Sequence, residues 1–378
     1  MREVEAFRSL EAIEPHWRDL EGKAQASPFQ RFAFMASYVE KLSRPAGAEP
    51  APVLIRGAGG EPAAILPLEK VRRSGITMLR SIGAKHASFH LPLASPEGAD
   101  LLAADPVATL RKAAEAAGGA DLVMLTQQPV EWEGRANPLA LAGSAEAASH
   151  AYQTALSGDA KSFIDARLSS DTRKKLRKKR QALGKIGEVK AERALTQEGV
   201  ARTLDAFFAQ KERRFAAQGI ANPFGDAATQ AFIREACAPR GGEPAAIELH
   251  ALNCGGTIVA VFGLATGFSR ASGMFTSFAD EPAIARCSPG DLLLGDMVRD
   301  LIERGFAHFD LGVGEARYKN AFCTEEVRLV DSFLPLTLYG RLGTAVLMTA
   351  LRMKAAVKRD PRLLGAANRL RAAARRFA

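Results

Sequence analysis

Residues 286–319 read RCSPGDLLLGDMVRDLIERGFAHFDLGVGEARYK, and this stretch decides the fold. The Ser-Pro-Gly turn at 288–290 predicts the start of a helix, because proline is favoured at the first helical position. Apolar residues then recur at helical spacing up to Gly305, which is typical of a helix C-terminus. Residues 306–311 follow as a short apolar strand. The stretch therefore predicts a turn, a helix and a strand of an α/β protein.

The first turn of this helix is a candidate anion site. A helix that begins at a glycine turn leaves backbone N–H groups without intrahelical acceptors, and these groups suit a phosphate or a pyrophosphate. The alternative is that the turn is structural, since the same unit is common in α/β proteins. The residues predicted to bind a donor are Ser288, Pro289, Gly290, Asp291 and Leu292.

The whole pattern is more specific than the turn alone. S-P-G-x-L-L, a helix of about four turns, a glycine, F-D-x-G-x-G-E and then Y-K resemble the acyltransferases of the GNAT superfamily described as CelD-like or BcsL-like. That family is related to the FemAB peptidyltransferases. The resemblance covers roughly residues 160–335 and implies an α/β fold of tandem GNAT-like (acyl-CoA N-acyltransferase) domains with mixed central sheets.

The resemblance also implies a donor. In GNAT proteins the Gly-rich turn and its helix hold the pyrophosphate of coenzyme A, usually through Q/R-x-x-G-x-G/A. This sequence has Cys287-x-x-Gly290-x-Leu292, so both outer positions depart from that motif. The expected donor is acetyl-CoA or another acyl-CoA, and no metal is expected.

Candidate catalytic side chains lie at the end of the strand after the helix. Acyl transfer from a thioester needs a base for the acceptor and hydrogen-bond donors for the developing oxyanion. Asp310 and Glu315 are the candidate bases, because partial burial at a strand end raises the pKa of a carboxyl group. Tyr318 is the candidate acid towards the leaving thiol, and Lys319 is a candidate partner of phosphate or of Asp310. The alternative for each residue is an ordinary hydrogen bond or ion pair.

The sequence contains no G-x-S-x-G motif and no Cys/His pair in a recognisable setting, so it gives little support to a covalent acyl-enzyme. His86, Ser88 and His90 fall in a loop beside Pro92, where no helix presents the two histidines to a metal. They are expected to be structural or to line a substrate site. Direct transfer without a covalent intermediate is therefore the expected chemistry.

A basic helix precedes the candidate site. Residues 173–180 read RKKLRKKR, a density that suggests an anionic partner such as the phosphates of coenzyme A, a nucleotide-linked sugar, tRNA or acidic lipid. The alternative is a solvated face. Relatives carry a comparable R-x-x-L-R-R/K helix, and the cations that match it, Arg173, Arg177 and Lys178, are predicted to bind an anion or the substrate.

The chain is organised as two domains and a tail. At 378 residues it is too long for one ordinary core. The order of strands, helix, glycine and strand in about 53–126 recurs in 246–311, which indicates an internal duplication. We therefore expect a degenerate GNAT-like domain at 1–150, a GNAT acyltransferase domain at 151–338 and a basic helical tail at 339–378.

The tail carries ten cations against Asp360 alone, an excess equal to the whole-chain formal charge of +9. Together with its leucine patches, this excess predicts a peripheral contact of residues 341–378 with an anionic membrane or with a partner. Packing on the second domain is the alternative. Neither a signal peptide nor an apolar run of membrane-spanning length is visible, and the four cysteines lack C-x-x-C spacing. We expect a cytoplasmic protein, peripheral at the inner face of the membrane if the tail binds there.

Three functions remain open from sequence. The first is transfer of an acyl group from acyl-CoA to an amine or hydroxyl acceptor, such as a glycan precursor in envelope or extracellular polysaccharide biosynthesis. The second is a FemAB-like peptidyltransferase that takes its aminoacyl group from tRNA, in which case the basic segments bind nucleic acid. The third is a non-catalytic partner of a polysaccharide synthesis complex.

Overall fold

The computed structural model describes residues 3–24, 26–239, 242–314 and 322–359. Three predicted site residues, Glu315, Tyr318 and Lys319, lie outside the described residues, as does the tail beyond residue 359.

The described residues form an alternation of short strands and helices. The strands are β1 (Val4–Ala6), β2 (Glu49–Pro50), β3 (Val53–Arg56), β4 (Pro62–Leu66), β5 (Leu68–Arg73), β6 (Ile76–Ser81), β7 (Leu93–Ala94), β8 (Leu122–Pro129), β9 (Glu131–Trp132), β10 (Arg135–Ala136), β11 (Ala145–Glu146), β12 (Ala151–Ala155), β13 (Val189–Arg193), β14 (Ile247–Cys254), β15 (Thr257–Gly267), β16 (Arg270–Phe278), β17 (His308–Val313), β18 (Glu325–Val327) and β19 (Leu329–Pro335). The helices are α1 (Leu10–Glu21), α2 (Phe32–Tyr38), α3 (Pro96–Ala104), α4 (Pro106–Ala116), α5 (Ala160–Arg167), α6 (Ser170–Gly184), α7 (Gln197–Ala217), α8 (Ala227–Cys237), α9 (Pro282–Ala285), α10 (Pro289–Glu303) and α11 (Leu338–Arg359).

Two large mixed sheets repeat one topology. The six-stranded sheet has the order β11-β19-β8-β6-β5-β2, and the seven-stranded sheet has the order β13-β14-β15-β16-β17-β12-β18. In the first sheet β5 and β6 are antiparallel and β6 and β8 are parallel, with α3 and α4 between them in sequence. In the second sheet β15, β16 and β17 repeat this arrangement, with α9 and α10 in the connection. The predicted tandem GNAT-like architecture is confirmed.

The end of each large sheet is completed by a strand that follows it or precedes it at a distance in the chain. Strand β12, which follows the first half in sequence, pairs antiparallel with β17 of the second sheet. Strand β19, near the end of the second half, pairs antiparallel with β8 of the first sheet. The segment 329–335, which the sequence assigns to the second domain at 151–338, therefore completes the first sheet. It lies there because β8 would otherwise present an unpaired edge.

One proline distinguishes the two sheets. In the first half, Pro67 interrupts one extended segment into β4 and β5, and β4 joins β1, β3 and β7 in a separate four-stranded sheet. Proline has no N–H to donate to a strand ladder, so it marks the point at which the pairing changes. In the second half, β15 runs unbroken for 11 residues and pairs with both β14 and β16.

The two faces of the seven-stranded sheet are covered differently. Helix α10 buries Leu293, Met297 and Leu301 on one face, in a core that also contains Phe309. Helices α7 and α8 cover the other face, and that core continues into α1 and α2 of the first half. The Phe34 and Phe232 rings meet across this boundary with centroids 5.5 Å apart. The halves therefore share one continuous hydrophobic core.

Helix α11 packs on the first half. The Thr337 hydroxyl donates to Asp121 Oδ1 at 2.7 Å, just before the helix begins. Gly340 is buried against the same residue, where an added Cβ would meet the Asp121 carbonyl oxygen at 1.8 Å. The alternative that the tail packs on the second domain is therefore wrong for the start of this helix. Within the described residues, no helix has the length and apolar character to cross a membrane.

Candidate functional site

The predicted anion site, residues 288–292, lies at the N-terminus of α10, and we call it the α10 seat. Ser288 precedes the helix with a left-handed backbone, at φ 49°. The N–H groups of Asp291 and Leu292 both donate to the Ser288 carbonyl, at 3.0 and 3.2 Å. The Gly290 N–H has no acceptor among the described residues, and Pro289 has no N–H. The seat therefore offers one free amide, where the sequence predicted several.

A lysine from the basic helix completes this seat. The Nζ of Lys179, on α6, donates to the Ser288 hydroxyl at 2.6 Å. Arg180 of the same helix pairs with Asp296 of α10. These contacts hold α6 beside α10 and place an ammonium group at the positive end of the α10 dipole. Two cationic features at one point favour an anionic ligand.

The three cations that the sequence selected are placed differently from one another. Arg173 pairs with Asp165 of α5, so much of its charge is neutralised. Arg177 lines a cavity of about 410 Å³ between α5, α6 and α10, together with Leu176. Lys178 is exposed and does not line this cavity. Within the described part of the chain, neither Arg177 nor Lys178 has an ion-pair partner. Arg177 is therefore the best placed of the three.

An aromatic ring flanks the seat. Phe278, at the end of β16, is 37% exposed, which is unusual for a phenylalanine beside a folded core. The guanidinium carbon of Arg214 lies 4.8 Å from the centre of this ring. A Cβ added at Gly290 would stand 3.5 Å from the Phe278 ring. An amide, an ammonium group, a guanidinium and a partly exposed aromatic ring therefore surround the start of α10.

Helix α7 also carries a lysine whose pKa is lowered by its surroundings. Lys211 lies one turn from Arg214, and its Nζ is within 5.3 to 5.9 Å of the centres of three phenylalanine rings. Burial, with the nearby Arg214 charge, lowers the pKa of Lys211 to about 8. The sequence analysis did not select Lys211 or Arg214, although both belong to a cationic run on α7.

Asp310 does not have the placement of an accessible base. It is fully buried in β17, where Oδ2 accepts from the Ser272 hydroxyl at 2.6 Å and Oδ1 accepts from the Gly312 N–H at 3.0 Å. Burial raises the pKa of Asp310, although Arg270 and these hydrogen bonds lower it. A base must reach the proton that it abstracts. The base role of Asp310 therefore stays a prediction that would need the β16–β17 junction to open.

A cavity of about 580 Å³ lies between the two halves, at the beginning of β16 and β17. Arg270 forms part of its wall although it is only 1% exposed. Its guanidinium lies 4.2 Å from the centre of the Trp132 ring, and its Nη1 donates to Gln153 at 3.0 Å. The Nε of Arg270 and the Nε1 of Trp132 are buried without hydrogen-bond partners. The Arg270 guanidinium is also ion-paired with Glu133 at 3.8 Å and with Asp310 at 3.5 Å.

Carboxylates line the rest of this inter-half cavity. Glu131 and Glu133 come from the first half, and Glu326 comes from β18. Arg328 and His308 also line it, and burial lowers the pKa of His308. The sequence analysis missed this site because its members lie far apart in the chain. The one local signal is Arg270 itself, a cation at the start of an otherwise uncharged strand.

One group of possible metal ligands is already paired with a cationic side chain, that of Arg304. Glu248, His250 and Asp300 place one ligand atom each within 4.8 Å of one another. Arg304 donates to both oxygens of Glu248, at 2.6 and 2.7 Å, and to Asp300 at 2.9 Å. Burial raises the pKa of Glu248, but the hydrogen bonds from His250 and Arg304 outweigh it and bring the pKa to about 2. We interpret this group as an ion-pair cluster that fixes α10 to β14.

Comparison with known proteins assigns the part of the chain that carries the α10 seat. Residues 170–320 match the model of the family described as acetyltransferase (GNAT) domain. This segment, less than half of the chain, is similar to GNAT acetyltransferase domains, and the similarity supports acyltransferase activity. No curated protein matches the chain in sequence.

Solved structures share the fold of both halves at low sequence identity. FemX covers 88% of this chain and 97% of its own, with a TM-score of 0.60 and 11% identity. A conserved protein of unknown function from Bacteroides thetaiotaomicron covers 88% and 100%, with a TM-score of 0.55 and 9% identity. L-PGS from Bacillus licheniformis covers 92% and 98%, with a TM-score of 0.52 and 12% identity. The two-domain arrangement thus recurs in these proteins.

Proposed function

We propose that the chain transfers an acyl group from acyl-CoA, whose phosphates bind at the start of α10, to an amine or hydroxyl acceptor. The observation that carries this proposal is the grouping of the Gly290 N–H, Lys179 and the exposed Phe278 ring at one helix terminus. A free amide and an ammonium group bind phosphate oxygens. An aromatic face beside them suits a purine base.

The inter-half cavity is the proposed acceptor site. Its wall combines the Arg270 guanidinium with carboxylates such as Glu133, so it suits a ligand that carries both oxygen acceptors and N–H or O–H donors. The two sites flank opposite ends of β16, a strand of nine residues. At about 3.3 Å per residue this is a separation of tens of ångströms, which a donor with a long extended arm can bridge.

The chemistry is a direct substitution at the thioester. The acceptor nitrogen or oxygen attacks the carbonyl carbon, its proton passes to a base, the C–S bond breaks and the departing thiolate takes up a proton. Asp310 and Glu315 remain the proposed bases, Tyr318 the proposed acid, and Lys319 the proposed partner of phosphate or of Asp310. Glu315, Tyr318 and Lys319 follow β17 directly in the sequence.

The biological setting is proposed from the CelD-like sequence pattern alone. That resemblance supports a glycan precursor as the acceptor and a role in envelope or extracellular polysaccharide biosynthesis. It rests on the motif residues of 288–319 and not on the shape of the acceptor cavity.

The second candidate is a FemAB-like peptidyltransferase that takes its aminoacyl group from tRNA. The similarity in fold to FemX over nearly the whole chain favours it. Cys287 and Leu292, which depart from the GNAT pyrophosphate motif, favour it as well. The same seat would then bind the terminal adenosine and phosphates of tRNA, while Arg177 and Lys178 of α6 follow its backbone.

Donor binding separates these functions. We expect acetyl-CoA to bind the full chain in calorimetry and to support acyl transfer to amine or hydroxyl acceptors. Binding of charged tRNA that weakens steeply with salt, without binding of acetyl-CoA, would instead support the peptidyltransferase. If neither donor binds, the chain is a non-catalytic partner of a synthesis complex.

The two proposed sites are distinguished by kinetics. With any acceptor that supports turnover, Glu133→Gln is expected to raise the KM for the acceptor and to leave the KM for acyl-CoA unchanged. Lys179→Gln is expected to do the reverse. Equal effects of both variants on both KM values would contradict the separate placement of donor and acceptor.

A further inference from the structure

Exposed apolar side chains concentrate on one element. Ten large apolar residues of the described chain are exposed, and five of them lie at the start or along the length of α11. Their exposed fractions run from 65% for Met353 to 74% for Leu338. The five are Leu338, Tyr339, Leu342, Val346 and Met353. An exposed apolar group of this kind marks an interaction surface.

The exposed face is distinct from the face that packs on the protein. Gly340 and Gly343 are buried against Asp121 and Ile76 of the first half. Leu338, Leu342 and Val346 recur every four residues and therefore share a different face of the helix. The helix is thus fixed to the first half by its small residues and presents its larger apolar residues to solvent.

Positive charge accompanies this face. Arg341 is exposed on the same two turns as Leu338 and Leu342. Within α11 the sequence adds Arg352, Lys354, Lys358 and Arg359, and residues 339–378 contain a single acidic residue, Asp360. An apolar stripe joined to an excess of cations fits a surface that is apolar below a layer of negative charge.

We propose that the exposed face of α11 binds the surface of a phospholipid bilayer that contains anionic lipid. A second copy of the chain would bring two cationic segments together, so charge repulsion opposes dimerisation through this face. An anionic bilayer supplies both an apolar layer for the stripe and opposite charge for the cations. The binding is peripheral, with α11 parallel to the surface and both GNAT-like halves on its aqueous side.

Co-sedimentation of the full chain with vesicles tests this proposal. We expect the protein to pellet with vesicles of phosphatidylcholine and phosphatidylglycerol at low salt, and to bind phosphatidylcholine alone at least about tenfold more weakly. High salt is expected to reduce the binding, because it screens the cations. Leu342→Ser combined with Val346→Ser should weaken binding to the anionic vesicles by about tenfold or more.

A matched control uses exposed apolar residues elsewhere. Leu195 is 64% exposed and Ile220 is 50% exposed, and neither lies on α11. Leu195→Ser combined with Ile220→Ser should leave vesicle binding unchanged. Equal pelleting with neutral and anionic vesicles, no pelleting with either, or full binding by the α11 variant would overturn the proposal. A dimer in sedimentation velocity that the α11 substitutions dissociate would assign the face to a second copy instead.

Discussion

The two halves begin two helices in different ways. Helix α3 lies between β6 and β8 in the first half, α10 lies between β16 and β17 in the second, and each begins at a Ser-Pro pair. Ser95 has an extended backbone, and its hydroxyl accepts from the Gly98 N–H at 3.1 Å. Ser288 has a left-handed backbone, and its hydroxyl accepts from Lys179. The first half therefore caps its helix with its own chain, whereas the second presents its helix to a cation and to solvent.

The space beside the first-turn glycine also differs between the two helices. A Cβ added at Gly98 would lie 1.9 Å from the Ala63 carbonyl oxygen, so β4 closes the start of α3. A Cβ added at Gly290 would lie 3.5 Å from the Phe278 ring, an ordinary contact. Backbone therefore closes the start of α3, whereas the start of α10 leaves space beside Phe278.

The largest expected effect is a loss of stability when a substitution disrupts the closely packed start of α3. Gly98→Val should lower the free energy of unfolding by more than about 3 kcal/mol, because its Cβ forces β4 away from α3. Gly290→Val should cost less than about 1 kcal/mol, since space is available beside Phe278. Chemical denaturation of both variants measures the difference. Equal losses would mean that the start of α10 is as closely packed as the start of α3.

The next expected effect is a pH dependence of stability, which comes from the connection before α3. His86 and His90 lie between β6 and α3, and burial lowers the pKa of both to about 4. The His90 Nδ1–H donates to the Thr126 carbonyl at 2.7 Å, which fixes the neutral ring. The corresponding connection before α10 contains no histidine. A pH dependence of stability is therefore built into the first half.

The direction of this pH dependence follows from the histidine pKa values in the folded and the unfolded chain. An unfolded histidine has a pKa of about 6.5, so between about pH 6.5 and 4 the unfolded chain binds more protons than the folded chain. Stability should be complete above about pH 6.5 and fall towards pH 4, by about 3 kcal/mol for His90 and less for the partly exposed His86. Unfolding titrations at several pH values measure it. A His90→Gln profile as steep as that of the wild type, with His16→Gln as the control, would contradict this assignment.

The smallest stability effect compares the two serines. Ser95→Ala should cost about 1 kcal/mol, because it removes the side-chain cap of α3. Ser288→Ala should cost much less, since the Ser288 hydroxyl caps no N–H of α10. Thermal denaturation of the two variants measures the two losses of stability. A larger loss for Ser288→Ala would show that the open start of α10 is a structural cap.

Local signals in the sequence predicted much of the fold. The turn at 288–290 and Gly305 bracket α10 as the structure has it, and the repeated element order predicted the tandem sheets. These features depend on residues close together in the chain. The pairing of β12 with β17 and of β19 with β8 depends on which sheet has an open edge, and nothing within either strand records that.

The functional site was less predictable, because it depends on contacts between residues that are far apart in the chain. Lys179 meets Ser288 across 109 residues, and inside the RKKLRKKR run no pattern separates Lys179 from Lys178. Arg270 is buried by Trp132 of the other half, so its role depends on how the halves dock. Asp310 was selected for its position at a strand end, but its burial and its hydrogen bond from Ser272 depend on β16 beside it.

The central claim is that only the open start of α10 binds a nucleotide-bearing donor. Calorimetric titration of acetyl-CoA into the full chain and its variants tests it most directly. The account predicts that Gly290→Val and Lys179→Gln each weaken binding by more than about tenfold, or roughly 1.4 kcal/mol, while Lys178→Gln and Ser95→Ala leave it unchanged. An affinity that stays at the wild-type value in folded Gly290→Val and Lys179→Gln proteins would contradict it.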